Sequence, residues 1–211
     1  MIAQTFQRKA FAISLALVTS FALTSCIKSN VEMKIKPNDK LDGTIIVAIT
    51  DQFLTVSGKS RDVALKELKA EMAKSSTSLP KGVKTSFYDK GSFVGQQVEF
   101  KDLPASEFNK VSGDAASTAT AALGLTGASV ALVKKNNTWE FSGTLDLSST
   151  EGLDQASLGS AAKLKPDVKV KITFPGKIIS KDKWAKVSGN TVSWSPKPGE
   201  KVVMKVVAKT S

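Results

Sequence analysis

From Leu164 to Phe174 the chain alternates apolar with polar or charged side chains almost without interruption. Val168, Val170, Ile172 and Phe174 share one parity, and Lys165, Lys169, Lys171 and Thr173 the other. A period of two fits a β-strand, whose successive side chains point to opposite faces and which here can bury one of them. A helix would wrap the same residues around its circumference and leave no apolar stripe. Near the C-terminus Val202, Met204, Val206 and Ala208 are interleaved in the same way with Lys201, Lys205 and Lys209. A chain committed to such strands must build a sheet that is apolar on one side and rich in lysine on the other.

The remaining elements follow from the same reasoning. Val31, Met33 and Ile35 alternate with Glu32, Lys34 and Lys36, a half-buried strand that ends at the turn signal Pro37-Asn38-Asp39. Thr44–Thr50 is almost continuously apolar and reads as a central strand. Val83–Tyr88 and Phe93–Phe100 pair around Asp89-Lys90-Gly91, and Val130–Val133 and Thr138–Leu147 around Asn136-Asn137. Trp184–Val187 and Thr191–Ser195 flank Ser188-Gly189-Asn190, with Val187 opposite Val192 and with Trp194 and Ala185 on the buried face. Ser60 caps a helix to about Lys74 whose stripe is Leu65, Leu68 and Met72, and Pro104 opens a short helix through Asn109. Residues 113–129, dominated by small side chains, form a loosely packed segment, and a polar stretch runs from Thr150 to Ala162. The sum is α+β: a curved, mainly antiparallel sheet with two or three helices packed on one side. Trp139, Trp194, Phe141 and Phe174 either fill its core or line an apolar cavity for acyl chains.

The N-terminus has a different character. Arg8 and Lys9 precede an apolar run from Ala10 to Ala22, which is long enough for a secretory h-region and too short to span a bilayer. Leu23-Thr24-Ser25-Cys26 closes it and resembles the bacterial lipobox, in which a branched aliphatic and two small residues precede a cysteine. The resemblance implies that a diacylglycerol is joined to the Cys26 thiol and that cleavage makes Cys26 the acylated N-terminus. The plainer alternative is an ordinary cleaved signal with an incidental cysteine. The expected organisation is therefore a signal peptide over residues 1–25, an acylated tether over 26–30, and a single domain over 31–211. The ending KVVMKVVAKTS, broken by lysines, is expected to hold no membrane segment. The protein is then placed on the extracytoplasmic face of the cell membrane, held by lipid.

Composition narrows the chemistry. Cys26 is the sole cysteine and there is no histidine, so disulfides within the chain, Ser-His and Cys-His pairs and the commonest metal ligand are all excluded. No metal, cofactor or catalytic site is expected. Asp39 with Asp42, and Asp146 with Glu151, are carboxylates close in sequence that solvated turns account for. The formal charge is +11, and it falls to nine once Arg8 and Lys9 leave with the signal. Such an excess outside the cell favours anionic lipids, glycolipids or wall polymers over nucleic acid. Were the alternating strands neighbours, Lys34, Lys36, Lys165, Lys169, Lys171, Lys201, Lys205 and Lys209 would form one basic face for anionic headgroups. The plainer reading is a solvated face with lysines guarding sheet edges. Trp184, beside Lys181, Lys183 and Lys186, suits a membrane interface or packing against a loop.

Two further stretches carry a family resemblance. Tyr88-Asp89-Lys90-Gly91-Ser92-Phe93-Val94-Gly95 leads into Phe100 and Leu103-Pro104, and Ile172-Thr173-Phe174-Pro175-Gly176-Lys177 precedes Val187–Trp194 and Pro198-Gly199-Glu200. With the lipobox, this succession is similar to the LppM-like actinobacterial lipoproteins over about residues 30 to 208. The resemblance implies an α+β fold with a hydrophobic cavity, an envelope location and binding of mannosylated phosphoinositide-type glycolipids. The mycobacterial member carries a C-terminal membrane segment that this reading does not carry over. A binding module for anionic lipid is thus one expectation. A structural or adhesive lipoprotein holding a protein or wall polymer, without a lipid pocket, is the other. Replacing Cys26 with Ala is expected to abolish fatty-acid labelling and processing, as read by metabolic labelling and mass spectrometry of the envelope fraction.

Overall fold

The structure, a computed structural model, describes residues 27–56, 58, 60–75, 80–108, 129–147, 167–197 and 199–210. The lipobox residues and the segments 109–128 and 148–166 lie outside the described residues. The elements are β1 (Ile27–Ile35), β2 (Lys40–Thr50), α1 (Asp51–Val56), α2 (Arg61–Ser75), β3 (Val83–Lys90), β4 (Phe93–Pro104), β5 (Ser129–Lys135), β6 (Thr138–Asp146), β7 (Asp167–Thr173), β8 (Ile178–Lys181), β9 (Lys186–Ser188), β10 (Thr191–Trp194) and β11 (Lys201–Lys209). A single helical turn at 105–108 follows β4. Among the described residues no helix is long and apolar enough to cross a membrane.

Strands dominate, and they form two sheets rather than the one expected. Seven strands make sheet A in the order β3-β4-β2-β1-β7-β10-β9, and four make sheet B in the order β5-β6-β11-β8. Every pairing is antiparallel except that of β1 with β7. Alternation tells which residues share a face, not what covers that face. Here the two one-sided stripes cover each other, as two apolar sheet faces do when no helix layer intervenes. Met33, Ile35, Val170 and Ile172 from sheet A join Trp139, Phe141, Met204 and Val206 from sheet B in one buried cluster. The rings of Phe141 and Trp194 meet across the gap at 5.6 Å between centroids.

Three other expectations are corrected. Ile27–Asn30 are not a tether: they open β1 and pair with Ile49–Ile46 on one side, with Lys28–Asn30 facing Asp167–Lys169 on the other. The polar Ser29 and Asn30 interrupt the alternation and hide the strand. The helix α1, which the sequence reading lacks, begins where β2 ends; the Asp51 N–H donates to Ser92 O at 2.8 Å. Val187 pairs with Val192 as expected yet is exposed, because β9 is a three-residue edge strand. The Ser60 cap is present: its Oγ accepts from Val63 N–H at 3.3 Å. The stripe it starts is only half-buried at Leu65 and Leu68.

Two local devices fix the sheets. In sheet A the β2–β4 register shifts between Leu41 and Gly43. There a Cβ added to Gly43 would stand 2.4 Å from the Phe100 ring, so glycine is required by space. Between the sheets, one carboxylate gathers three elements. Asp182 Oδ2 accepts from Trp194 Nε1 at 2.9 Å and from Lys205 N–H at 2.8 Å, while Oδ1 accepts from Trp184 and Ala185 N–H at 2.7 and 3.0 Å. Hydrogen bonds to a charged acceptor are the stronger kind, and losing this one orphans the Nε1 of a buried indole. Asp182→Ala is expected to cost about 3 kcal/mol of stability, measured by chemical denaturation.

Candidate functional site

The sequence-derived basic face divides between the two sheets. Lys34, Lys169 and Lys171 lie on the outer face of sheet A, where Glu32 pairs in register with Lys171 and Lys34 with Thr173. Lys201, Lys205 and Lys209 lie on the outer face of sheet B, and Lys165 is outside the described residues. Several of these ammonium groups are already held by acids. Lys171 Nζ is 2.7 Å from Glu32 Oε1, Lys169 Nζ 2.7 Å from Asp167 Oδ1, and Lys201 Nζ 3.1 Å from Asp146 Oδ2. Lys36 leaves the end of β1 and sits 2.6 Å from Asp42 Oδ2 and 2.8 Å from Asp102 Oδ1, pinning the β2–β4 bulge. The face is a mosaic of exposed ion pairs, each worth little.

Trp184 is 40% exposed, with the Lys183 ammonium 5.1 Å from its ring centroid. It also lines a shallow recess with Trp194, Ser195, Pro196, Glu200 and Val202. The recess has a volume of about 30 Å³, far below that of sites that enclose a drug-sized ligand. Trp184 thus stands half-exposed beside Lys183 and against the 194–202 segment.

A different surface combines apolar side chains with incomplete burial. On the inner face of sheet A, next to the packed core, two rows of side chains are only half-covered, while Val94 in the row beyond them is buried. The register places Val31, Ile45, Val98 and Thr85 in one row, and Ser29, Val47, Gln96 and Phe87 in the next. Val31, Ile45 and Val47 are partly buried and pack against the core without joining it. Phe87 closes the second row on the edge strand, with Lys69 of α2 5.6 Å from its ring centroid. Aliphatic surface, an aromatic edge, an amide and an ammonium thus stand together. None of these residues stood out in the sequence, because TIIVAIT reads equally well as a strand buried on both faces. The signal that could have found them is the Gln96-Gln97 pair opposite that apolar run.

At the start of β1 a second cluster forms on the outer face of sheet A. Lys28 Nζ lies 5.9 Å from the Tyr88 ring centroid and 5.2 Å from that of Phe93, and 2.9 Å from Asp167 Oδ2. Its hydrogen bond to Asp167 raises the Lys28 pKa, against the opposing pull of burial. Burial pushes the Asp167 carboxyl up, but Lys169 and Lys28 hold it below the ordinary carboxylate value on balance. In the bulge, Lys36 lowers Asp102. Asp42, which burial would raise, is lowered overall by the Asp102 N–H and Lys36.

These features define a domain of two facing sheets with a half-open apolar face at one end. Compared with known proteins, residues 28–210 match the LppM domain, and the chain belongs to the LppM family of lipoproteins. Protein LppM of Mycobacterium tuberculosis is 24% identical over 208 residues, covering 99% of this chain and 78% of that protein. The NMR structure of the folded domain of Mycobacterium tuberculosis LppM superposes with a TM-score of 0.58 at 22% identity, over 87% of this chain and 90% of that one, a likeness of fold.

The carboxylates Asp42, Asp102 and Asp167 are depressed in the fold, so they contribute stability above their unfolded pKa and lose it as pH falls through the folded one. Lys28 and Lys36 are raised, so their contribution is complete below the ordinary lysine value and lost only in strong alkali. With no histidine in the chain, the melting temperature is expected to stay flat from about pH 5.5 to 9 and to fall below about pH 4. Calorimetry across that range checks it.

Proposed function

We propose that this protein is an envelope lipoprotein, anchored through Cys26 on the extracytoplasmic face of the membrane, whose domain binds an anionic lipid or glycolipid non-covalently. The observation that carries the reading is the half-covered apolar inner face of sheet A. Isolated exposed apolar residues need no explanation, but a row of them contiguous with the core does. Acyl chains lie along Ile45 and Val47, and the headgroup meets Lys69 beyond Phe87. The LppM resemblance supports a phosphoinositide-mannoside type of ligand, and the net positive charge favours an anionic one.

The protein acts in this reading by holding its ligand, not by catalysis. A chain without histidine would leave general acid–base work to carboxylates. Asp42, Asp102 and Asp167, the acids whose pKa is shifted, are each engaged by lysine and serve as counter-ions.

Native mass spectrometry of the protein purified from its own envelope tests the proposal. A stoichiometric lipid in addition to the thioether-linked one is expected. Phe87→Ser should reduce it several-fold while changing the unfolding temperature little, since that ring is already 37% exposed. A clean mass without bound lipid, and no retention on anionic vesicles at low salt, would instead favour the adhesive reading.

A further inference from the structure

The distance between anchor and fold is set by a single peptide unit. Ile27 follows Cys26 directly and is already paired with Ile49 in β1. Adjacent Cα atoms are about 4 Å apart, so a lipid on Cys26 leaves the first strand no slack. The register defines the two ends of sheet A. At the β1 start lie Lys28, Ala48, Gly95 and Tyr88 in one row, with Asp167 on the β7 side. At the other end lies the β1–β2 turn at 37–39, some eight residues of strand away. The two ends cannot both reach the bilayer.

From this, and resting on the anchor proposed above, we infer that the rim of sheet A at the β1 start is the bilayer-facing surface of the domain. It presents Lys90 and Phe93 to anionic headgroups, with the Lys28 ammonium part-buried behind them on Asp167, and the Pro37–Asp39 turn points away.

The chemistry of the rim fits that partner. Its carboxylates are compensated: Asp51 and Asp89 both accept from the Arg61 guanidinium, and Asp167 is shared by Lys28 and Lys169. Lys90 Nζ rests 5.8 Å from the Tyr88 ring centroid, and Lys28 spans Tyr88 and Phe93. Ammonium groups held over aromatic faces at a bilayer surface combine attraction to anionic lipid with an amphipathic ring at headgroup depth. The rim also carries α1 and the Gly91-Ser92 turn between β3 and β4. On the inner face the row nearest the rim holds Ile49, buried Val94 and Asp89, and the row of Val47 and Phe87 follows it.

The single cysteine makes the test clean, because acylation blocks it and an introduced thiol is then the only one available for labelling. Ser92→Cys and Asn38→Cys place a spin label at the two ends, both at exposed turn positions. The acylated protein is reconstituted in vesicles of equimolar phosphatidylcholine and phosphatidylglycerol, with acylation verified by mass. The label at 92 is expected to be several-fold less accessible to a water-soluble nickel chelate than the label at 38. Inserting roughly 15 glycine and serine residues after Cys26, enough to span about 20 Å, should remove most of that contrast. Equal accessibility at both ends of the acylated protein, or greater protection at 38, overturns the orientation and leaves the anchor standing. A protein that carries no acyl mass and does not float with vesicles overturns the anchor and the orientation together.

Discussion

The parallel pairing of β1 with β7 holds the architecture together. It joins Lys28 through Lys34 to Asp167 through Thr173, and without it sheet A would fall into two pieces. On one side stand β2, β4 and β3 with the two helices; on the other, β10 and β9. The chain between β4 and β7 contributes β5 and β6 to sheet B, and the chain after β7 contributes β8 and β11. Sheet B is thus assembled from segments on both sides of that seam and closes over it. Pairings between residues so far apart in sequence come late in folding, since the loop must close before the contacts reward it. The hairpins β3–β4, β5–β6 and β9–β10 are local and need no such wait.

What could be read beforehand follows this division between local and distant. The alternation of Val168, Val170, Ile172 and Phe174, and of Val202, Met204, Val206 and Ala208, gave the correct buried parity, and all eight side chains are in the core. The Ser188-Gly189-Asn190 and Asn136-Asn137 turns and the Ser60 cap were legible because their signals sit within a few residues. Partnership between faces was not, and so one sheet was expected where two occur. The short α1 was missed because its six residues carry too few turns for a helical period to emerge. Ser29 and Asn30 concealed the start of β1, although they are paired on both sides.

The lysines illustrate the same limit. Their number and their parity are sequence facts, but their availability depends on which acids arrive opposite them. Glu32 reaches Lys171 across 139 residues of sequence, and Lys134 Nζ bridges from sheet B to both oxygens of Asp39 at 2.8 and 2.7 Å. Part of the net charge is therefore committed to stitching the fold, while Lys34, Lys205 and Lys209 have no carboxylate partner among the described residues. The candidate site emerged elsewhere, from aliphatic residues that periodicity had assigned to an ordinary central strand.

Neither sheet closes on itself, and no ladder of backbone hydrogen bonds runs from one to the other; their separation rests on interlocked side chains such as Phe141 and Trp194. Widening the gap at the half-covered end therefore breaks dispersion contacts but no strand pairing. Asp182 is the counterweight: by accepting from Trp194 Nε1 of sheet A and from Lys205 N–H of sheet B it pins the two layers to each other at that point, so any slack between them has to lie away from it.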